Sequence, residues 1–180
     1  MIEQKNRHTP NRLSSYLQIH DTVISQFQDK GFVGTHNLSV KPYPSAIGIR
    51  GEMSCIGNII ISVDKILDIL DDFPGLGGDK TVKTNWYAYN VSVRNVGNIF
   101  RYDNQHEDYL YPGHQDSHHK HVFDLCTGKE LSQSPEWVGV ERWPTLGDVI
   151  IEVQGWYWEN RDSLPEPDSY PVLALPSLEL

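Results

Sequence analysis

The sequence has few cysteines, few basic residues and no long apolar run, and each shortage excludes a class of protein. The two cysteines, Cys55 and Cys126, lack the paired spacing of a disulfide framework or a cysteine zinc site. Lysine and arginine number 15 against 24 aspartates and glutamates, so the net charge of −9 argues against a broad electrostatic grip on nucleic acid. No apolar run approaches the ~20 residues of a membrane helix, and the N-terminus lacks the apolar stretch of a secretory signal. We therefore expect a cytoplasmic protein with no membrane partner.

Two amphipathic patterns predict helices near the two ends of the chain. Apolar residues recur at helical spacing over residues 13–27, and Gly31 stands where that helix would end. A second helix is predicted over residues 146–158. Thr145 is a suitable N-cap for it, and Asp148, three residues on, is close to the capping-box pattern.

Short β-rich runs between these helices predict strands. They are residues 37–43, 46–53, 58–63, 81–93, 99–103 and 118–123. Residues 64–70 are interpreted as a helical turn and residues 132–143 as a linker. Because the strands follow one another without intervening helices, the sequence predicts an α+β fold, an antiparallel β-sheet of about 5–6 strands packed against an N-terminal and a C-terminal helix.

The length of 180 residues fits one domain. We expect a flexible N-terminal tail over residues 1–13, a single α+β domain over 14–163 and a proline-rich C-terminal tail over 164–180. Four prolines exclude a regular helix from that last segment. Trp158 is a candidate partner contact, since tryptophan is enriched at binding hot spots.

Titratable side chains concentrate between Arg101 and His121. Five of the eight histidines lie there, at positions 106, 114, 118, 119 and 121. Imidazole titrates near neutral pH, so it serves as an acid, a base or a metal ligand. The segment is therefore the candidate functional site.

Strand alternation divides these side chains between two faces. On a strand over residues 118–123, His119 and His121 share one face, while His118 and Lys120 share the other. Arg101 and Asp103 likewise share a face of the preceding strand. The pattern predicts a cavity in which a guanidinium and a carboxylate meet imidazoles from the next segment.

Three interpretations of this cluster stay open on the residues alone. The first is metal-free cleavage of RNA, in which one histidine takes the proton of a ribose 2′-hydroxyl and another protonates the leaving oxygen. The candidate catalytic residues are His118, His119, His121 and Asp103. The candidate phosphate-binding residues are Arg101 and Lys120. The candidate substrate-binding residues are Asn104, Tyr87 and Tyr89, the two tyrosines as base-stacking groups beside Trp86.

The second interpretation is a divalent metal at the histidine cluster of a hydrolase or nuclease, with His114, His119 and His121 as ligands. The first interpretation needs no cofactor. The third is a solvated histidine-rich loop, in which Arg101 and Asp103 form an ordinary ion pair.

Three motifs give the chain a family likeness. They are Tyr87-Ala88-Tyr89, Phe100-Arg101-Tyr102-Asp103-Asn104 and His118-His119-Lys120-His121. Together they resemble the TumE-type toxin family of bacterial toxin–antitoxin modules, in which a Y-x-Y strand leads into an F-R-Y-D-N motif and a P-H-H-K-H motif follows. The likeness covers roughly residues 37–125. It departs from the family at Ser117, which stands in place of the proline, in a longer insertion around 109–116, and in the Trp-rich C-terminal third.

The resemblance implies a small cytoplasmic toxin neutralised by a cognate antitoxin of the helix-turn-helix type. It carries over only to the residues that match the motifs, which are Arg101, Asp103, Asn104, His118, His119 and His121. The leading hypothesis is a toxin that acts on RNA, as an endoribonuclease using histidine acid–base catalysis. The alternatives are a non-catalytic protein-binding or regulatory module and the metal-dependent hydrolase or nuclease.

Overall fold

The computed structural model describes residues 9–70, 78–104, 118–139 and 141–174. Two α-helices, nine strands and one short 3-10 helix lie within these ranges. The helices are α1, Leu13–Asp29, and α2, Leu146–Asn160, which the 3-10 turn Arg161–Ser163 follows. The strands are β1 Asn11–Arg12, β2 Val33–His36, β3 Ser39–Pro42, β4 Ala46–Cys55, β5 Ile59–Ile69, β6 Thr81–Val93, β7 Gly97–Asp103, β8 His119–Val122 and β9 Glu136–Trp137.

One antiparallel sheet contains every described strand. Its order is β2-β4-β5-β6-β7-β8-β9, and β3 and β1 pair with β4 and β6 respectively. The α+β class and the two helices are as predicted from sequence. The expected 5–6 strands were too few, because the unpredicted strands β1, β2 and β9 are only two to four residues long and carry no readable alternation.

The prediction of a helical turn over residues 64–70 is wrong, since residues 64–69 continue strand β5. Asp64 pairs with Arg50 on one side and with Ala88 on the other, so neighbouring strands hold the segment extended. Its apolar residues fit a helical spacing as well as an alternating one. Pairing on both edges therefore decides the conformation, and tertiary context overrides the local preference.

Both helices cover one face of the sheet. The core there consists of alternate strand residues and the apolar faces of the helices, among them Ile59, Ile61, Tyr89, Val91, Ile24, Phe27, Val149 and Val153. Burial of each such aliphatic side chain contributes about 1.5–3 kcal/mol. The predicted capping box of α2 is confirmed, because the Asp148 amide donates to the Thr145 hydroxyl and the Asp148 carboxylate accepts from the Thr145 amide.

Parts of both predicted tails lie against the body of the protein. Asn11–Arg12 pair with β6. At the other end, the Asn58 amide donates to the Ser169 carbonyl at 2.8 Å, and Leu164 is buried. In the portion of the chain that the structure describes, neither helix combines the length and the apolar character needed to cross a membrane.

A buried polar group lies between α1 and the sheet. Lys65 is only 4% exposed, and its ammonium donates to the Tyr16 hydroxyl. The same ammonium lies 5.7 Å from the centroid of the Tyr89 ring. His20, one turn along α1 from Tyr16, stacks on the Tyr16 ring at 6.1 Å. Burial, followed by the positive charge of Lys65, lowers the pKa of His20 to about 4.

This shift predicts an acid-sensitive docking of α1. A histidine in an unfolded chain has a pKa of ~6.5. Below that pH the His20 side chain is therefore protonated in the unfolded state, while it stays neutral in the folded state until the pH approaches 4. The free energy of unfolding should therefore fall between pH 6.5 and pH 4, by roughly 2 to 3 kcal/mol at a pH of about 4.5. Urea unfolding at neutral and acidic pH would measure this loss.

The variant His20→Leu isolates the effect from other titrating groups. It should lose less stability on acidification than the natural protein. His36→Gln, at an exposed position of β2, removes only the smallest of the three causes that lower the pKa of His20, so it should keep most of the dependence. Equal slopes for the natural protein and His20→Leu would contradict the assignment.

Candidate functional site

The candidate site lies where β7 ends beside β8. Tyr102 and Lys120 are cross-strand partners, and both bond to Glu152 of α2, at 2.9 and 2.6 Å. Those two side chains therefore point to the helix-covered face. Because side chains alternate along a strand, Asp103 and His119 point to the opposite face, which we call the second face.

Two cross-strand pairs build the centre of the site on this face. Arg101 lies opposite His121, and Asp103 lies opposite His119. Directly opposed residues on one face have Cβ atoms about 5 Å apart. The guanidinium, the carboxylate and the two imidazoles therefore lie together on one face, as the alternation predicts, while the cavity expected around them stays a prediction.

Asp103 is the anchor of the arrangement. Its side chain is fully buried, with Oδ1 3.2 Å from Nε2 of His119, while Oδ2 accepts a hydrogen bond from Nε of Arg101. Burial alone raises the pKa of Asp103, but the hydrogen bonds from His119 and Arg101 outweigh it and bring that pKa to about 2. The carboxylate is thus ionised at neutral pH and fixes both of its neighbours.

His121 has a carboxylate partner of its own. Its Nδ1 lies 2.6 Å from Oε1 of Glu130, and the Ser134 hydroxyl donates to the same oxygen. Burial raises the pKa of Glu130, but the bonds from Ser134 and His121 outweigh it and hold that pKa below its ordinary value. With Nδ1 donating to an ionised carboxylate, a neutral His121 presents Nε2 as a hydrogen-bond acceptor.

Exposure separates the two imidazoles. Their rings meet edge to face, with centroids 4.7 Å apart. The His119 side chain is fully buried, whereas 19% of the His121 side chain and 42% of the Arg101 side chain are exposed. His121 and Arg101 are therefore the groups that a ligand can reach, and His119 acts by positioning them through Asp103.

The structure does not bring the remaining imidazole of the motif to this face. His118 lies on the helix-covered side, where its ring packs against both Tyr87 and Trp143 at centroid distances of 5.8 and 5.7 Å, and those two rings stack on each other at 4.9 Å. The Tyr87 hydroxyl and Nδ1 of His118 are 3.2 Å apart. Lys120, predicted to bind phosphate, bonds to Glu152 on that same side. Both side chains therefore help to join the sheet to the C-terminal part of the chain.

The predicted substrate-binding residues also have structural contacts. Tyr87 and Tyr89 are fully buried on the helix-covered face. Asn104 accepts from the Tyr87 amide at 2.9 Å and donates to the Asn85 carbonyl at 2.8 Å, so its side chain ties the end of β7 to β6. Trp86 precedes Tyr87 on the strand, so its side chain points to the second face, where it is half-buried. His114, a predicted metal ligand, lies outside the described residues, as does His106.

Sequence reasoning missed two side chains of the site. Glu130 orients His121 from nine residues downstream, and Trp137 pairs with His119 across β8 and β9, with the two rings 6.2 Å apart. A lone glutamate and a tryptophan of a two-residue strand carry no sequence signal of their own. Only the return of the chain to β8 brings them to the histidines.

The cluster also has the donor set of a metal centre. Asp103, His119 and His121 can each offer one ligand atom, and these atoms lie within 4.8 Å of one another. Two imidazoles and one carboxylate suit zinc, manganese or iron with open positions for water or substrate. The positive charge of the Arg101 guanidinium, which is bonded to the Asp103 carboxylate, would repel a metal cation bound to that carboxylate. The residues therefore fit a metal only if the Arg101 side chain moves away from Asp103.

Comparison of the chain with protein-family models, with curated proteins and with solved structures finds no match in any of the three.

Proposed function

We propose that this chain is the toxin of a bacterial toxin–antitoxin module and that it cleaves RNA by acid–base chemistry at His121. One observation carries the proposal. A partly exposed guanidinium and a partly exposed imidazole lie directly opposite each other, and each is held by a carboxylate. Such a pair can bind a phosphodiester and move a proton beside it.

The reaction begins when Nε2 of His121 takes the proton of a ribose 2′-hydroxyl. The freed oxygen attacks phosphorus, a new P–O2′ bond forms and the P–O5′ bond breaks. The proton returns to the leaving O5′ from the imidazolium or through water. Arg101 stabilises the added negative charge on the phosphoryl oxygens, and Glu130 stabilises the imidazolium that forms in between. The products are a 2′,3′-cyclic phosphate and a 5′-hydroxyl.

The overall charge limits what kind of RNA can be bound. A protein of net charge −9 repels a long polyanion, and the site offers one guanidinium to phosphate. A substrate held at one or two nucleotides, in a single-stranded segment, suits this site best. The acidic surface suits a basic antitoxin, and Trp158 and Ile151, 65% and 60% exposed on α2, are candidate contacts for it in the bacterial cytoplasm.

Purified protein and a panel of single-stranded RNAs test the proposal. We expect cleavage that persists in EDTA and leaves 2′,3′-cyclic phosphate ends, together with growth arrest when the protein is expressed without a partner. The absence of both cleavage and growth arrest would reject it in favour of a non-catalytic binding module.

A metal-dependent hydrolase or nuclease is the second candidate, and the convergence of Asp103, His119 and His121 favours it. A bound divalent metal would supply an activated water there. Elemental analysis of untagged protein, dialysed after metal supplementation, should then give about one equivalent of zinc or manganese. The variant Asp103→Asn should lower this content, and metal-free protein that still cleaves RNA would exclude the candidate.

A further inference from the structure

A row of polar side chains leads away from His121 across the second face. Arg101 is the cross-strand partner of His121, and Asn90 is the cross-strand partner of Arg101. The spacing between directly opposed residues is about 5 Å. Asn90 is thus the next side chain beyond the guanidinium, on the side away from the imidazole.

Asn90 is half-buried and is held in one orientation by Asn98, which is exposed on β7. Nδ2 of Asn90 donates to Oδ1 of Asn98 at 3.2 Å. Among the described residues neither side chain makes another hydrogen bond. Oδ1 of Asn90 and its second N–H therefore remain as an acceptor and a donor of the same planar amide.

On the Hoogsteen edge this pattern matches adenine, which presents a donor beside an acceptor there, whereas guanine presents two acceptors. An asparagine amide pairs with adenine in a bidentate manner, accepting from the N6 amino group and donating to N7. In single-stranded RNA both groups are accessible, since an unstacked base exposes its Hoogsteen edge. A nucleotide whose phosphate lies on Arg101 can place its base over the amides, because the phosphate and base positions are neighbours in the row.

We propose that Asn90 and Asn98 form a nucleobase subsite that selects adenine next to the cleaved phosphodiester, an inference that rests on the proposed RNA cleavage. The acidic protein gains little from contacts to the RNA backbone. Recognition therefore depends on the base edge. The amide pair supplies sequence preference where the guanidinium supplies only phosphate affinity.

Four short single-stranded RNAs that differ only in one base beside a single cleavable bond test this subsite. The natural protein should show a kcat/KM about 10- to 100-fold higher for adenine than for the other bases. Asn90→Ala should reduce that preference to near unity. Asn90→Asp, which keeps the shape but removes the donor to N7, should do the same and guards against loss of folding in the first variant.

Asn85→Ala is the matched control, because Asn85 lies on the same strand but its amide donates to Asp68. It should keep the adenine preference. Fluorescence anisotropy of the same labelled RNAs gives a readout independent of cleavage. Cleavage without base preference, or an unchanged preference in Asn90→Ala, would overturn the subsite. Adenine-selective binding that Asn90→Ala removes, without cleavage of any RNA, would overturn the proposed function and keep the subsite.

Discussion

Replacing His121 with alanine is expected to lower RNA cleavage by about 100- to 10,000-fold, the usual contribution of a positioned acid–base group. The imidazole is the more exposed member of the histidine pair and lies on the residue directly opposite Arg101. Its removal takes away the proposed acceptor of the 2′-hydroxyl proton, while the buried Asp103–His119 contact stays intact. Single-turnover rates on a short RNA would measure the loss, and growth of cells expressing the variant would be restored.

Two controls separate chemistry from folding. His36→Ala removes an exposed histidine of β2, far along the sheet, and should leave the cleavage rate unchanged. Free imidazole added to His121→Ala should recover part of the rate, because the vacated space adjoins Glu130 and Arg101. A purely structural role for His121 predicts no such rescue. Cleavage by His121→Ala at the natural rate would remove this residue from the mechanism.

Much of the site's geometry could be predicted from the period of a β-strand. The motif residues Arg101 and Asp103 are two apart, as are His119 and His121, so each pair had to share a face wherever two strands formed. The same alternation places His118 and Lys120 on the other face. The alternation does not predict which face of the sheet the helices cover. That face decides which histidines are accessible to a ligand.

Other features depended on contacts between distant parts of the chain. Glu130 lies in an irregular segment, and its bond to His121 exists only because the chain folds back along β8. The burial of His119 could not be read from a segment of mostly polar residues. The extension of β5 past Asp64 likewise depends on partner strands at both edges. In each case the structure is set by a contact between residues that are distant in sequence, and local sequence patterns do not predict such contacts.

The most severe loss of stability is expected from Asp103→Ala, about 3 kcal/mol in the free energy of unfolding. The buried carboxylate is the shared partner of Arg101 and His119, and its removal leaves a fully buried imidazole nitrogen without that acceptor. The charge of Arg101 also loses its ionic partner. Urea unfolding at neutral pH followed by circular dichroism would give the difference directly.

Asp64→Ala provides a matched comparison on the same face of the sheet. Asp64 lies opposite Ala88, which lies opposite Asp103, and its carboxylate accepts from Nε of Arg50 at 2.8 Å. The two aspartate–arginine pairs differ in burial, since the Asp64 side chain is 36% exposed and that of Asp103 is fully buried, and Asp103 has His119 as a second partner. An exposed pair contributes at most about 1 kcal/mol, so Asp64→Ala should lose far less stability. Similar losses in the two variants would mean that the polar centre beside His121 is no more tightly fixed than an ordinary surface ion pair. The preorganisation that the proposed catalysis needs would then be missing.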